Sequence, residues 1–164
     1  MGVFTQENIV PPIHLIAVGR LREPHWKAAA ESYAKRIKRG YDLVETLVRD
    51  GDASLSPADR VKVEGERILQ VLKGNCMPVC LDENGEMLTS GAFAAFLRQS
   101  FDTARTPYFI IGGAYGLSEI VRTRAARTLS LGPMTFPHEL ARVLLLEQLY
   151  RADAIMHNRP YHHA

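Results

Sequence analysis

The sequence predicts an α/β protein with a mostly parallel sheet flanked by helices, and two observations lead there. Short apolar runs alternate with segments of helical spacing along nearly the whole chain. Most of those runs are apolar throughout instead of alternating with polar residues, which is how strands covered on both faces read.

The elements follow in order. Residues 1–12 are polar and end in Pro11-Pro12, so a flexible leader is expected there and one domain from 13 to 164. Ile13 to Val18 reads as a buried strand closed by Gly19. A helix follows Pro24, with Trp26, Ala29, Ala30, Tyr33 and Ile37 at helical spacing and Gly40 as its stop. Tyr41 to Val48 alternates as a strand, and residues 50–54 form a loop. Ser56-Pro57-Ala58-Asp59 opens a helix with a capping Ser, Pro in the first turn and an acid beside it; the helix runs to Gly74. Cys76 to Leu81 is a third strand and Asp82 to Glu86 a turn. Thr89 or Ser90 then caps a helix to about Ala104. Tyr108 to Ile111 is a buried strand entering Gly112-Gly113-Ala114-Tyr115-Gly116. Ser118 caps a helix to Arg127, and Leu129-Ser130-Leu131 is a last short strand. The helix from Glu139 to Ile155 is apolar almost all round, so the core and a partner subunit are expected to bury it.

At 164 residues the chain suffices for one domain with a real core. Its 46% apolar and 23% charged residues are those of an ordinary globular chain, and its formal charge of +2 permits a nucleic-acid partner without demanding one. Cys76 and Cys80 are too few for a four-ligand zinc site, and two core thiols in a reducing compartment are expected. The histidines contain no H-x3-H pair, so no metal is expected. No apolar run reaches the ~20 residues of a membrane span, and the opening residues lack a signal-peptide pattern, which points to the cytoplasm.

Ligands of open α/β sheets bind beyond the C-terminal ends of strands. The loops after Leu81, Ile111 and Leu131 qualify. Gly112 to Gly116 offers main-chain groups close to a ligand, or is simply a tight strand-to-helix turn. Neither a dinucleotide fingerprint nor a G-x4-G-K-[ST] phosphate loop occurs, and no G-x-S-x-G elbow supports a hydrolase. His138, after Pro137, could cap the last helix or orient a ligand. Lys35, Arg36, Lys38 and Arg39 read as a solvated helix end; Arg20, Arg22, Arg122, Arg124 and Arg127 could supply phosphate contacts if they share one rim.

One joint pattern remains. It comprises Ala17-Val18-Gly19, Glu64-Gly65-Glu66-Arg67-Ile68-Leu69, Leu81-Asp82, Ile110 to Ser118, Leu129-Ser130-Leu131, Met134 to His138, Arg142-Val143-Leu144, Glu147 to Ala152 and Asn158-Arg159-Pro160-Tyr161-His162. In this order and spacing the chain resembles the ribosomal RNA large-subunit methyltransferase H family of the SPOUT superfamily, over nearly everything from residue 13 onward. Tyr115 and Arg159 depart from residues common in that family.

The resemblance implies an α/β trefoil knot in which the C-terminal segment threads a loop. It also implies a homodimer, S-adenosylmethionine as cofactor, and methylation of N3 of a pseudouridine in the large-subunit rRNA of assembled ribosomes. The cofactor positions fall on Leu81, Gly112, Leu131, Gly132, Pro133, Met134, Thr135 and Phe136. Methylating N3 requires its proton to leave and charge on the flanking carbonyls to be offset. Arg142, Arg151, Tyr161 and His162 are the expected charge-stabilising and orienting groups; His138 and Glu147 are candidates for proton transfer, and Glu147 could instead pair with an arginine. The tail is expected to complete the partner's site. Two other readings stand beside this one: a non-catalytic RNA- or ribosome-binding module of the same fold, and a nucleotide-dependent oxidoreductase, which the missing dinucleotide turn disfavours.

Overall fold

The computed structural model describes residues 10–162. Its strands are β1 (Pro12–Val18), β2 (Asp42–Val48), β3 (Cys76–Met87), β4 (Thr106–Ile111) and β5 (Arg127–Ser130). Its helices are α1 (Pro24–Ile37), α2 (Pro57–Val71), α3 (Ser90–Asp102), α4 (Glu119–Arg124) and α5 (His138–Met156). One sheet orders the strands β2-β1-β4-β3-β5 with every pair parallel, so the expected architecture holds. Of the leader expected at 1–12, residues 1–9 lie outside the described residues, and Pro12 already pairs with Asp42 as the start of β1.

Successive residues of the strands point to opposite faces, and both faces are covered. Ile13 and Leu15 of β1 join Val79, Phe109 and the apolar sides of α1, α3 and α5 in one core. Ile16 and Val18 turn the other way, into a second core with Val48, Cys80, Ile110 and residues of α2 and α4. This is why the strands read as apolar runs. Cys80 is fully buried, and burial pushes its thiol up to about 11; Cys76 is half-buried, and both are free. Helix starts follow their signals: Ser56 Oγ accepts from the Asp59 amide at 3.2 Å, and Thr89 Oγ1 from that of Ala92 at 3.1 Å. Each such cap stabilises by about 1 kcal/mol. Ser118 holds the N-cap position of α4, but its hydroxyl makes no capping bond.

Two expectations need correction. The Asp82–Glu86 turn lies inside a strand: β3 pairs with β5 at Leu81, breaks, and resumes at Glu86, both residues facing Leu129. Asp82–Gly85 is thus an excursion, tightened where Asp82 Oδ1 accepts from the Asn84 amide at 3.0 Å. It closes on Gly85, where a Cβ would stand 2.6 Å from the carbonyl carbon of Leu129. Second, α4 stops at Arg124 and not at Arg127, which opens β5: its guanidinium pairs with Glu86 at 2.7 Å and lies over Phe96. The expected burial of α5 by the core is seen within one chain. Packed on α1 and α3, it buries Val143, Leu145, Leu146, Leu149, Ala152 and Ala154 within one chain and leaves Leu140 and Leu144 half-buried.

The fit at Gly85 makes a test. Gly85→Ala is expected to destabilise the protein by about 1–3 kcal/mol in urea denaturation, because main chain must move to admit the methyl. Wild-type stability in that variant would show that the excursion is pliable.

Candidate functional site

Strand register brings the three candidate loops together. Leu81 lies opposite Ile111 on one side and Leu129 on the other, so β3, β4 and β5 reach the same level at their C-terminal edge. The residues just beyond them, together with the start of α5, enclose a cavity of about 800 Å³. A cavity of about 750 Å³ opens at the other end of the sheet, beside Gly40, Tyr41 and Asp153. Size does not separate the two; position does, because ligands of open α/β sheets bind where the strands end.

Main chain forms much of the first cavity. At Gly112 a Cβ would stand 2.7 Å from the backbone carbon and oxygen of Gly116, so the loop closes on itself only with glycine there. Gly113 and Gly116 form an antiparallel bridge, with the Gly116 amide donating to Gly113 at 3.1 Å. Ser130 Oγ donates to the Gly132 carbonyl at 2.6 Å and accepts from the Gly132 amide at 3.2 Å, which fixes the exit from β5. Leu81, Ile111, Leu131 and Phe136 add apolar surface.

The β3 excursion makes one wall. Its Asp82 accepts from Arg122 at 2.8 Å, and Glu83 accepts from the Thr135 hydroxyl, tying the excursion to the segment after β5. Burial alone would raise the Asp82 carboxyl; hydrogen bonds from the Asn84 amide and Arg122 outweigh it and hold the group below the usual carboxylate range. At the base of α5, Glu139 is buried and accepts from the amides of Arg22 and Glu23 at 3.0 and 3.2 Å. That anchors the chain entering α1, and sequence reasoning missed it. Among the described residues, no group of three His, Cys, Asp or Glu side chains could hold a metal, and no helix is long and apolar enough to cross a membrane.

Seven of the expected cofactor residues line this cavity: Leu81, Gly112, Leu131, Gly132, Met134, Thr135 and Phe136. Pro133 is exposed and does not. Asp82, Arg122 and Tyr115 also line it, and Arg122 is the one member of the expected arginine rim that does.

The expected catalytic residues fall in three places. His138 lines the cavity as the first residue of α5; the N-cap is Pro137, so the histidine does not cap the helix. Arg142 is buried and donates to Glu45 of β2 at 2.6 Å. Glu147, Arg151, Tyr161 and His162 form one cluster: Glu147 Oε1 accepts from Arg151 at 2.6 Å and from the Tyr161 hydroxyl at 3.1 Å, and Arg151 approaches His162 at 3.4 Å. Arg151 also lies over the Tyr161 ring, which meets Tyr150 edge-on. Burial, then Tyr33 and Glu147, push the Tyr161 hydroxyl upward, so it stays a neutral phenol. Along a helix rising 1.5 Å per residue, Arg151 lies about 20 Å from His138.

Over residues 12–162 the chain matches the family described as Predicted SPOUT methyltransferase, which gives the class of protein. Ribosomal RNA large subunit methyltransferase H of Oleidesulfovibrio alaskensis is 53% identical over 152 residues, covering 92% of this chain and 98% of that protein. The protein of the same name from Lawsonia intracellularis is 52% identical, covering 92% and 97%. The chain belongs to the ribosomal RNA large subunit methyltransferase H family. A crystal structure of the SpoU methyltransferase AviRb from Streptomyces viridochromogenes with AdoMet aligns more remotely, with a TM-score of 0.46 and 18% identity over 85% of this chain and 57% of that one.

The Asp82–Arg122 pair predicts a pH dependence. A carboxyl held low in the fold contributes stability above its ordinary pKa and loses it as pH falls through the lowered value. The difference in melting temperature between wild type and Asp82→Asn should hold from pH 8 to 5 and shrink below about pH 4. A gap unchanged at pH 3 would mean that the pair contributes nothing.

Proposed function

We propose that this protein methylates N3 of a pseudouridine in large-subunit ribosomal RNA, using S-adenosylmethionine, on assembled ribosomes in the cytoplasm and as a homodimer. The observation that carries the reading is the meeting of the loops after β3, β4 and β5 around one cavity, where Gly112 leaves main chain uncovered and Leu81, Leu131 and Phe136 supply apolar contact. These residues, with Gly132, Met134 and Thr135, would hold the cofactor; Pro133 would act only by shaping the loop. When bound, S-adenosylmethionine supplies an electrophilic methyl group. The threading of the C-terminal segment into a trefoil knot belongs to the same proposal.

The chain's own residues then position the base, remove the N3 proton and offset charge on the flanking carbonyls. His138 lines the cavity and is the side chain best placed to take a proton. Glu147, paired with Arg151 and accepting from the Tyr161 hydroxyl, holds the tail. Arg151 and His162 present cationic and polar groups, and the neutral Tyr161 presents a ring. Arg142 acts through its pair with Glu45, fixing α5 against β2.

The separation along α5 supports the homodimer: the Arg151–Tyr161–His162 cluster lies far from its own chain's cavity, and a second copy would bring one to it. Mass spectrometry of rRNA nucleosides is the first test. Cells lacking the protein should lose one N3-methylpseudouridine and regain it with the gene restored; an unchanged nucleoside profile would overturn the reading.

Mixing variants tests the dimer. Gly112→Ala should abolish cofactor binding, and Arg151→Ala should disable the tail. Unfolded and refolded together in equal amounts, they should recover about a quarter of wild-type activity, because half the dimers are mixed and each has one intact site. Sites built within single chains would recover nothing.

A further inference from the structure

Resting on that reading, we infer that Tyr115, backed by Arg60, is a stacking platform for a nucleobase of the RNA at the mouth of the cavity. Tyr115 lines the cavity yet leaves 52% of its surface exposed, unlike Leu81, Gly112 and Leu131 deeper in. The Arg60 guanidinium stands over the ring at 5.3 Å from its centre. Tyr115 has no aromatic partner among the described residues, so one face of the ring meets a cation and the other is free of aromatic cover.

The pair is built into the fold. Arg60 forms no ion pair within 4.0 Å among the described residues, and its Nε is buried without a hydrogen-bond partner. Its Cα and Cβ are seated on Gly51, whose amide donates to the buried Glu64 at 2.8 Å. The other oxygen of Glu64 lies against Gly113, in the loop that carries Tyr115. One buried carboxylate therefore sets both the cation and the loop, and the Glu64-Gly65-Glu66-Arg67 motif gains a role beyond helix packing.

The chemistry favours a base over the alternatives. Every base has a π-face, and stacking on an exposed aromatic is how proteins engage unpaired nucleotides. Arg60 of α2, over the Tyr115 ring and without an ion-pair partner among the described residues, favours the phosphates that flank such a base. Of the residues proposed to hold the cofactor, Leu81, Gly112 and Leu131 are less exposed than Tyr115, which is not one of them.

Steady-state methylation of ribosomes tests the platform. Tyr115→Ala should raise the ribosome KM about 10- to 100-fold while kcat stays within about twofold. S-adenosylmethionine Kd, measured by calorimetry, should stay within about twofold. Tyr115→Phe should behave as wild type, and Arg60→Met should fall between. An unchanged ribosome KM in Tyr115→Ala overturns the platform. So does a parallel loss of cofactor affinity, which would make Tyr115 a cofactor contact, or conversion of a dimer to a monomer, which would make it an interface residue. A wild-type protein that binds S-adenosylmethionine but leaves ribosomes unmethylated overturns the proposed function itself, and the platform with it.

Discussion

The approach of Gly85 to the main chain of Leu129 is the constraint from which the cavity follows. It lets β3 and β5 resume pairing after an excursion, at a separation no side chain at that position would allow. The residues between, Asp82 to Asn84, have nowhere to go but outward. There they become a wall, with Asp82 on Arg122 and Glu83 on Thr135. Contacts of this kind, one ion pair and one hydrogen bond, stabilise by only about 1 kcal/mol each or less. They serve mainly to set how the wall meets the loops beside it, while close backbone packing determines that a wall exists.

Much of this architecture was legible in the residues. Apolar strands such as Leu15–Val18 and Tyr108–Ile111 can be apolar only because helices cover both faces, and that alone implied the layered parallel sheet. The loops that meet at the cavity were legible for the same reason, since strand ends follow from strand identities. The Asp82–Glu86 excursion was not. Its composition is that of a turn between elements, and only register shows that one strand continues through it. Arg127 read as the end of a helix because nothing in its neighbours announces the cross-strand carboxylate of Glu86. Glu139 was overlooked because a helix-opening acid normally answers its own helix, whereas this one serves the amides ahead of α1.

Apolar composition alone does not separate core from interface. The leucines of α5 suggested a subunit interface, yet α1 and α3 hide most of them inside one chain. The better argument for a second copy is geometric, because the polar cluster around Glu147 and the cavity beside His138 occupy opposite parts of a rigid rod. For Glu147 the sequence left proton transfer and pairing with an arginine both open; in space the carboxylate meets Arg151 and accepts from the Tyr161 hydroxyl.

That rod also acts as a gauge. Each residue of a helix advances 1.5 Å and turns about 100°, so deleting one anywhere between Ala141 and Glu147 would swing the whole Arg151 cluster about a quarter-turn relative to the cavity. Substitutions in α5 can be absorbed by repacking; changes of length cannot. The count of residues between His138 and Arg151 is therefore a more stringent specification than the identity of any leucine within it.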